Sequence, residues 1–528
     1  MASPNETQSG FRSHPILEDA LSQVLLQPLT GGADMTDPSV AISPSSLSPV
    51  AAISPAAAPS IPHATAPSPV VQNPGAARRR LLLEGPIVST LLRLAVPNVV
   101  VNVVLIAVTV SVDAHFVGQL DPSALAGLSL VFPLLMLMQQ VANSSMGGAV
   151  ASAVARAIGS GRHEDASALV VHGLVIACGM AAVFASVLLV AGPTLYMLMG
   201  GSGPTLAAAV EYSNAIFAGS LAYWVLSTLT SVVRGTGQAT VLAVVYIAAE
   251  ILHVLLVPTL VFGIGPIPAF GITGAGIATV VSFTVSTLVL AWYLVSGRTA
   301  VAFSLRGIRL NWRAFREILR VGAPMSLQPL LNNLMLALLT GFVGSLGATA
   351  LAGFGAAVRL EYVLYPLTFG LGAGLLAMVG TNIGAAQPAR AARIAWTGAA
   401  LAASVTGGIG LLGVMWPEAW VGFFSATPAI HLVAASYLCV AGVAYPFLGV
   451  GLTLSSAFQA AGRPLWPLLG IAGRVLVVGA GGWVVIHTTD AGLVGLAFVS
   501  AAGLIVYGAI LATAFRAGAW RSVGAGSQ

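Results

Sequence analysis

Phe116-Val117-Gly118-Gln119-Leu120, followed by Ala124-Leu125-Ala126-Gly127, returns in the second half of the chain as Phe342-Val343-Gly344-Ser345-Leu346, followed by Ala350-Leu351-Ala352-Gly353. The match extends outward on both sides. Upstream, Leu92-Arg93 and Pro97 correspond to Leu319-Arg320 and Pro324, and downstream Ile158-Gly159 corresponds to Ile383-Gly384. A repeat that keeps register over so many residues points to duplication of a structural unit.

The repeated segments are long and apolar. The chain has 528 residues, of which 57% are hydrophobic and 7% charged, with a mean hydropathy of +0.93. A water-soluble domain cannot hide that much apolar surface, so the class is a polytopic membrane protein. From Arg78 onward, twelve runs of about 20 residues or more can each cross a hydrocarbon layer of roughly 30 Å as a helix. They lie near 89–112, 122–155, 166–191, 207–232, 238–262, 271–296, 318–342, 350–381, 394–415, 429–457, 464–486 and 491–515. The second and eighth are long enough to tilt, kink or protrude. Six helices separate the repeat copies, so the two halves share one orientation. The expected fold is an all-α membrane protein of twelve transmembrane helices in two pseudo-symmetric six-helix lobes.

Arginine placement supports this count, because short cytoplasmic loops collect positive charge. Arg78, Arg79, Arg80 and Arg93 precede or open the first run, Arg156 and Arg162 follow the second, and Arg234 follows the fourth. Arg298, Arg306, Arg309, Arg313, Arg316 and Arg320 fill the connection between the sixth and seventh, and Arg390, Arg393, Arg463, Arg516 and Arg521 continue the alternation. The intervening loops contain none. A multi-pass protein of the cell membrane with both termini cytoplasmic is expected. The expected divisions are a disordered Pro/Ala/Ser-rich tail over 1–77, a first lobe over 78–297, a linker over 298–317, a second lobe over 318–516 and a short tail over 517–528. No basic start with an apolar core and cleavage site opens the chain, so a cleaved signal peptide is not expected. Ile16, Leu17, Leu21, Val24 and Leu25 have helical spacing within the tail. All 21 basic residues are Arg, which suggests compositional bias and not a nucleic-acid surface. Cys178 and Cys439 lie inside apolar runs and are expected to be ordinary buried thiols.

Several elements in order resemble the multidrug and toxic compound extrusion (MATE) transporters. They are Leu94-Ala95-Val96-Pro97, Asp113 with Phe116-Val117-Gly118, Ala155-Arg156-Ala157-Ile158-Gly159, Arg234-Gly235-Thr236-Gly237, Gly271 to Thr279, and Val379-Gly380-Thr381-Asn382-Ile383-Gly384-Ala385. The resemblance spans Arg78 to about Arg516. It implies a secondary antiporter that exports amphipathic, often cationic small molecules, xenobiotics among them, in exchange for H+ or Na+, with no cofactor and with a monomer expected. A lipid or lipid-linked-sugar flippase and a non-transporting receptor or scaffold are the alternative readings. No nucleophile, metal-ligand or phosphate-loop constellation supports an enzyme.

Charges inside apolar runs are costly and mark candidate sites. At 100° per residue, Asn98, Asn102 and Thr109 fall within about 60° of Asp113, giving the first helix one polar stripe. A carboxylate withdrawn from water can be emptied and refilled with a proton as access alternates. In the resembling family the acid before Phe-Val-Gly belongs to the coupling site, and Asp113 is the matching position. Glu250 and His253, three residues apart on the fifth helix, could share a proton or hold a cation. The same resemblance expects an Asn and an Asp there, where His253 and Val257 stand. The ion-coupling candidates are thus Asp113, Asn98, Asn102, Glu250 and His253. The second lobe has Thr340 or Leu339 opposite Asp113, so the acid is not duplicated. Glu361 could meet Arg474 or a cationic substrate, and Arg359 and Arg474 are expected to be neutralised structurally. Glu361, Gln139, Asn143 and Asn333 are the substrate-binding candidates, with Gln140, Tyr212, Asn214, Tyr223, Trp224 and Asn332 as further cavity residues. Pro97 and Pro324 should bend their helices.

Overall fold

The computed structural model describes residues 74–296, 310–425 and 427–521. The stretch with Ile16 to Leu25, the tail up to residue 73, the linker from 297 to 309 with its arginines, and residues 522–528 lie outside the described residues. A leading helix, Pro74–Glu84, precedes the first crossing. The crossings are α1 (Ile87–Gly118), α2 (Pro122–Gly159), α3 (His163–Leu198), α4 (Gly203–Ala218 continued by Ser220–Gly235), α5 (Ala239–Phe262) and α6 (Ile272–Val295). The second set is α7 (Trp312–Gly344), α8 (Ala348–Gly384), α9 (Pro388–Met415), α10 (Pro428–Ala460), α11 (Leu465–Thr488) and α12 (Gly492–Arg516). The described residues contain helices and no strand. Their order and composition are those of twelve transmembrane helices in two lobes, because only a helix satisfies its own backbone groups in lipid.

Several crossings are broken where their sequences weaken the helical ladder. Gly219 interrupts α4, whose halves meet at 48°. At the corresponding place in the second lobe, Gly442–Ala444 tighten α10 into a single 3-10 turn. A Cβ on Gly219 would overlap the Val280 side chain, so the break also lets α4 and α6 approach closely. The long α2 passes through a π-helical turn at Val141–Met146, ahead of Gly147 and Gly148. Such turns recur at functional sites.

The core is partitioned by lobe at one end only. Toward the loops without arginine, one buried cluster, including Val117, Leu128, Tyr212, Phe217 and Val257, is drawn wholly from the first lobe. Its counterpart, including Leu339, Phe354, Tyr437 and Leu496, is drawn wholly from the second. Toward the arginine-rich loops the clusters are shared. Leu82, Leu91 and Leu94 pack with Leu375, Val379 and Phe458, and Val154 and Ile158 pack with Ile318 and Val321. The lobes are therefore fused at the arginine-rich end and separate toward the other.

The fusion is built from reciprocal contacts. A Cβ on Gly159 of α2 would overlap the Thr381 carbonyl oxygen of α8, and a Cβ on Gly384 of α8 would overlap the Arg156 carbonyl oxygen of α2. The repeated Ile-Gly pair thus places each glycine against the other helix's backbone. Arg156 crosses between lobes, donating to the Ala460 carbonyl at 2.8 Å and to Glu317 at 3.1 Å. Arg79 of the leading helix donates to the carbonyls of Ile158 and Gly159, while Asn382 donates to the Leu82 carbonyl at 3.0 Å and Arg390 to that of Gly85. Arginines that sequence spacing assigned to one side of the membrane are thus gathered on one face, where they cap helix ends.

Cys178 and Cys439 are both exposed and free, contrary to the expectation of buried thiols. They lie on helix faces turned away from the protein core. An apolar run excludes water in either setting, so the run alone cannot tell a protein-facing side chain from a lipid-facing one.

Candidate functional site

The polar stripe of α1 meets α5 in two rungs. Both helices run in the same direction, and they pack along each other. The Thr109 hydroxyl donates to the Glu250 carboxylate, at 3.0 and 3.1 Å from its two oxygens. One turn further, His253 Nε2 lies 3.0 Å from Asp113 Oδ1. Tyr212 of α4 sets its buried hydroxyl beside the same carboxylate. Asp113, Glu250 and His253 are 6%, 8% and 3% exposed, so the cluster is withdrawn from water and its groups must satisfy each other.

Glu250 and His253 interact electrostatically as neighbours on α5, while their hydrogen bonds run across helices. The two side chains share a face of α5, but each reaches a partner on α1. Val257, where the resemblance expected an acid, is fully buried in the first-lobe core and closes the cluster on that side. Glu250 supplies a second carboxylate about two turns below that position.

Asn98 and Asn102 do not join these rungs. Asn98 donates to the Leu94 carbonyl at 2.8 Å and Asn102 to the Asn98 carbonyl at 2.7 Å. They bond to their own helix around Pro97, which contributes no N–H. At 1.5 Å per residue they stand about 22 and 16 Å from Asp113 along α1.

The second lobe holds a different charged cluster. Arg474 of α11 donates to Glu361 of α8 at 2.7 Å, with the two residues 1% and 5% exposed. The Tyr365 hydroxyl lies 3.3 Å from both Glu361 Oε1 and Asn332 Oδ1. A small pocket with room for about one water molecule opens against this group, walled by Asn332, Leu339, Glu361, Tyr365 and Arg474 among others. Asn332, not Asn333, faces it, and Asn333 is exposed on α7. Arg474 is neutralised as expected, whereas Arg359 is exposed and lies over the Phe424 ring at 4.7 Å.

Other candidates are dispersed. Asn143, in the π-helical turn, donates to the Tyr223 hydroxyl at 3.0 Å and ties that turn to α4. Gln139 and Gln140 are half-buried just before it. Arg234, which the sequence placed in a loop, is buried at the end of α4 over the Phe369 ring of α8, 5.1 Å from its centroid. Gln459, 225 positions later, mirrors it by donating to the carbonyls of Ser144 and Ser145. Among the described residues no group of three or more His, Cys, Asp or Glu could hold a metal.

The family model for MatE matches residues 99–259 and again 324–482, once in each lobe. The chain belongs to the MatE family. As a MatE protein it is a membrane transporter, not an enzyme. It is 27% identical over 394 residues to the FAD transporter of Shewanella oneidensis, covering 74% of this chain and 86% of that one. It is 23% identical to the probable multidrug resistance protein NorM of Thermotoga maritima, covering 72% and 81%. A MATE family multidrug resistance transporter solved in an outward-facing conformation superposes with a TM-score of 0.76 at 24% identity, over 84% of this chain and 98% of the other. A MOP superfamily transporter from Pyrococcus furiosus superposes equally well, also at 24% identity.

Proposed function

We propose that this MatE protein is a proton-coupled antiporter that exports amphipathic, often cationic small molecules by alternating access, with the Asp113–His253 pair as its coupling site. The observation that carries the reading is the buried rung between α1 and α5. A carboxylate and an imidazole 3.0 Å apart inside an apolar lobe form a site where one proton more or less changes the charge that must be accommodated. Glu250 with Thr109 forms the adjoining relay. When Asp113 takes a proton from the open side, its attraction for His253 weakens, and α1 is free to repack around Pro97. Na+ coupling is the competing assignment for the same oxygens.

In this reading the lobes separate toward the exterior, the arginine-rich face is cytoplasmic, and both chain ends lie there in the cell membrane. One chain with two lobes suffices for the cycle. Glu361 with its cavity, Gln139, Asn143 and Asn333 are assigned to the cargo path. The NorM relatives support multidrug cargo. A second reading, a flavin-type dinucleotide as cargo, is favoured by the relative named FAD transporter.

The test is purified protein in liposomes, with movement of a fluorescent organic cation followed under a proton gradient, then a sodium gradient, and with FAD as competitor. Export driven by the proton gradient and lost in Asp113→Asn is expected. Undiminished transport by Asp113→Asn removes that residue from coupling, and transport driven only by sodium reassigns the ion.

A further inference from the structure

A narrow groove lies between the leading helix, the start of α1 and the start of α5. Three independent features make it a site for an anion. Arg78 and Arg93 both line it, and among the described residues no carboxylate is within ion-pairing distance of either. Their neighbours are already engaged, Arg79 on the α2 carbonyls and Arg80 with Glu84 at 2.7 Å. Arg78 is half-buried; burial pushes its pKa down, the Tyr293 hydroxyl opposes this, and the Arg93 charge adds to the lowering. An anion between the two guanidiniums would relieve that repulsion.

Thr90, also in the lining, is 3% exposed, and its hydroxyl has no hydrogen-bond partner. The third feature is the N-terminus of the 24-residue α5, which contributes Ala239 and Thr240 to the groove. Its cap residue Gln238 makes no side-chain cap, its Oε1 accepting instead from Tyr293 at 2.9 Å, and the first N–H groups of a helix have no intrahelical partner. Every charged group here is cationic, and the helix end is positive.

The groove's position selects a lipid. Below Arg93, Val96, Val100 and Val103 of α1 are exposed, and so are Val244, Ile247 and Ile251 of α5, an apolar surface suited to acyl chains. We propose that Arg78, Arg93, the Thr90 hydroxyl and the N-terminus of α5 bind the phosphate headgroup of an anionic membrane phospholipid. The bound headgroup would fasten the leading helix, which itself grips both lobes through Arg79 and through the Leu82 and Gly85 carbonyls.

The test uses the full-length protein in detergent, titrated with phosphatidylglycerol, with phosphatidylcholine and with inorganic phosphate. Retained lipid is read by native mass spectrometry and thermal stability by tryptophan fluorescence. Phosphatidylglycerol is expected to be retained and to raise the melting temperature, with phosphatidylcholine roughly tenfold weaker. Loss of charge-assisted contacts in R78Q/R93Q should weaken phosphatidylglycerol roughly ten- to a hundredfold, while R80Q is unchanged. If the double variant fails to fold, R93Q alone, on the exposed side of α1, should still bind less tightly. Equal retention of phosphatidylglycerol by R93Q and the parent overturns the site. Equal stabilisation by inorganic phosphate, with displacement of the lipid, overturns the lipid assignment in favour of a soluble phosphate ligand.

Discussion

Gly159 and Gly384 each lie against the other's helix, one at the Thr381 carbonyl and the other at the Arg156 carbonyl, so that neither position has room for a Cβ. The two glycines occupy equivalent places in the repeat and define the line along which the lobes close. Backbone contact of this kind needs small residues on both sides. The arginine-rich face is therefore shut by main chain, reinforced by Arg156 and the leading helix.

Gly159→Val should force α2 and α8 apart. The overpacking costs about 1–3 kcal/mol, and the variant should bind cargo yet fail to complete the cycle. Hydrogen exchange at 155–162 and 381–387 should quicken while the outer halves of the lobes are unaffected. Unchanged exchange in both segments contradicts the closure.

Arg156→Ala should loosen the same face by removing the bridge to Ala460 and Glu317. Arg156→Lys is not expected to restore it, because an ammonium lacks the fork that serves a carbonyl and a carboxylate together. Full rescue by Lys in the same exchange measurement would show that charge alone suffices.

His253→Gln retains a donor toward Asp113 but cannot carry a proton. Its transport should be flat between about pH 5 and 8, where imidazole titrates, while the parent's changes over that range, and cargo affinity should stay measurable. A pH profile identical to the parent's in liposomes assigns proton handling to Asp113 and Glu250 alone.

Glu361→Gln leaves Arg474 buried with its charge uncompensated, which costs about 3–5 kcal/mol in folded proteins. Thermal unfolding in detergent should register the loss, and E361L/R474L should recover most of it. If the double replacement is stable but transports nothing, the pair belongs to the cargo path; if it transports normally, the pair is structural.

Much of this architecture is legible in single helices. Hydropathy and the alternation of arginines fix the crossings, and the paired Phe-Val-Gly and Ile-Gly segments fix the duplication. The stripe from Asn98 to Asp113 was visible as a period, but its residues take different partners. Asn98 and Asn102 turn to their own backbone, whereas Thr109 and Asp113 meet α5. The 225-residue offset that relates Gly159 to Gly384 also relates Arg234 to Gln459, and it would have marked both as contacts between lobes. The breaks at Gly219 and Gly442–Ala444 are marked only by those glycines, and because apolar residues continue through them, hydropathy reads each span as unbroken.

By itself, the sequence determined that the chain is a helical membrane protein, how often it crosses, that its halves are copies and which loops share a side. Those properties follow from transfer of side chains into hydrocarbon, which each segment decides for itself. The tertiary structure decided which partner each buried charge meets: Asp113 with His253, Glu250 with Thr109, and Glu361 with Arg474. Such pairings depend on the rotation and axial register of one helix against another. Packing across the whole lobe sets that register, and no periodicity within a single helix contains it.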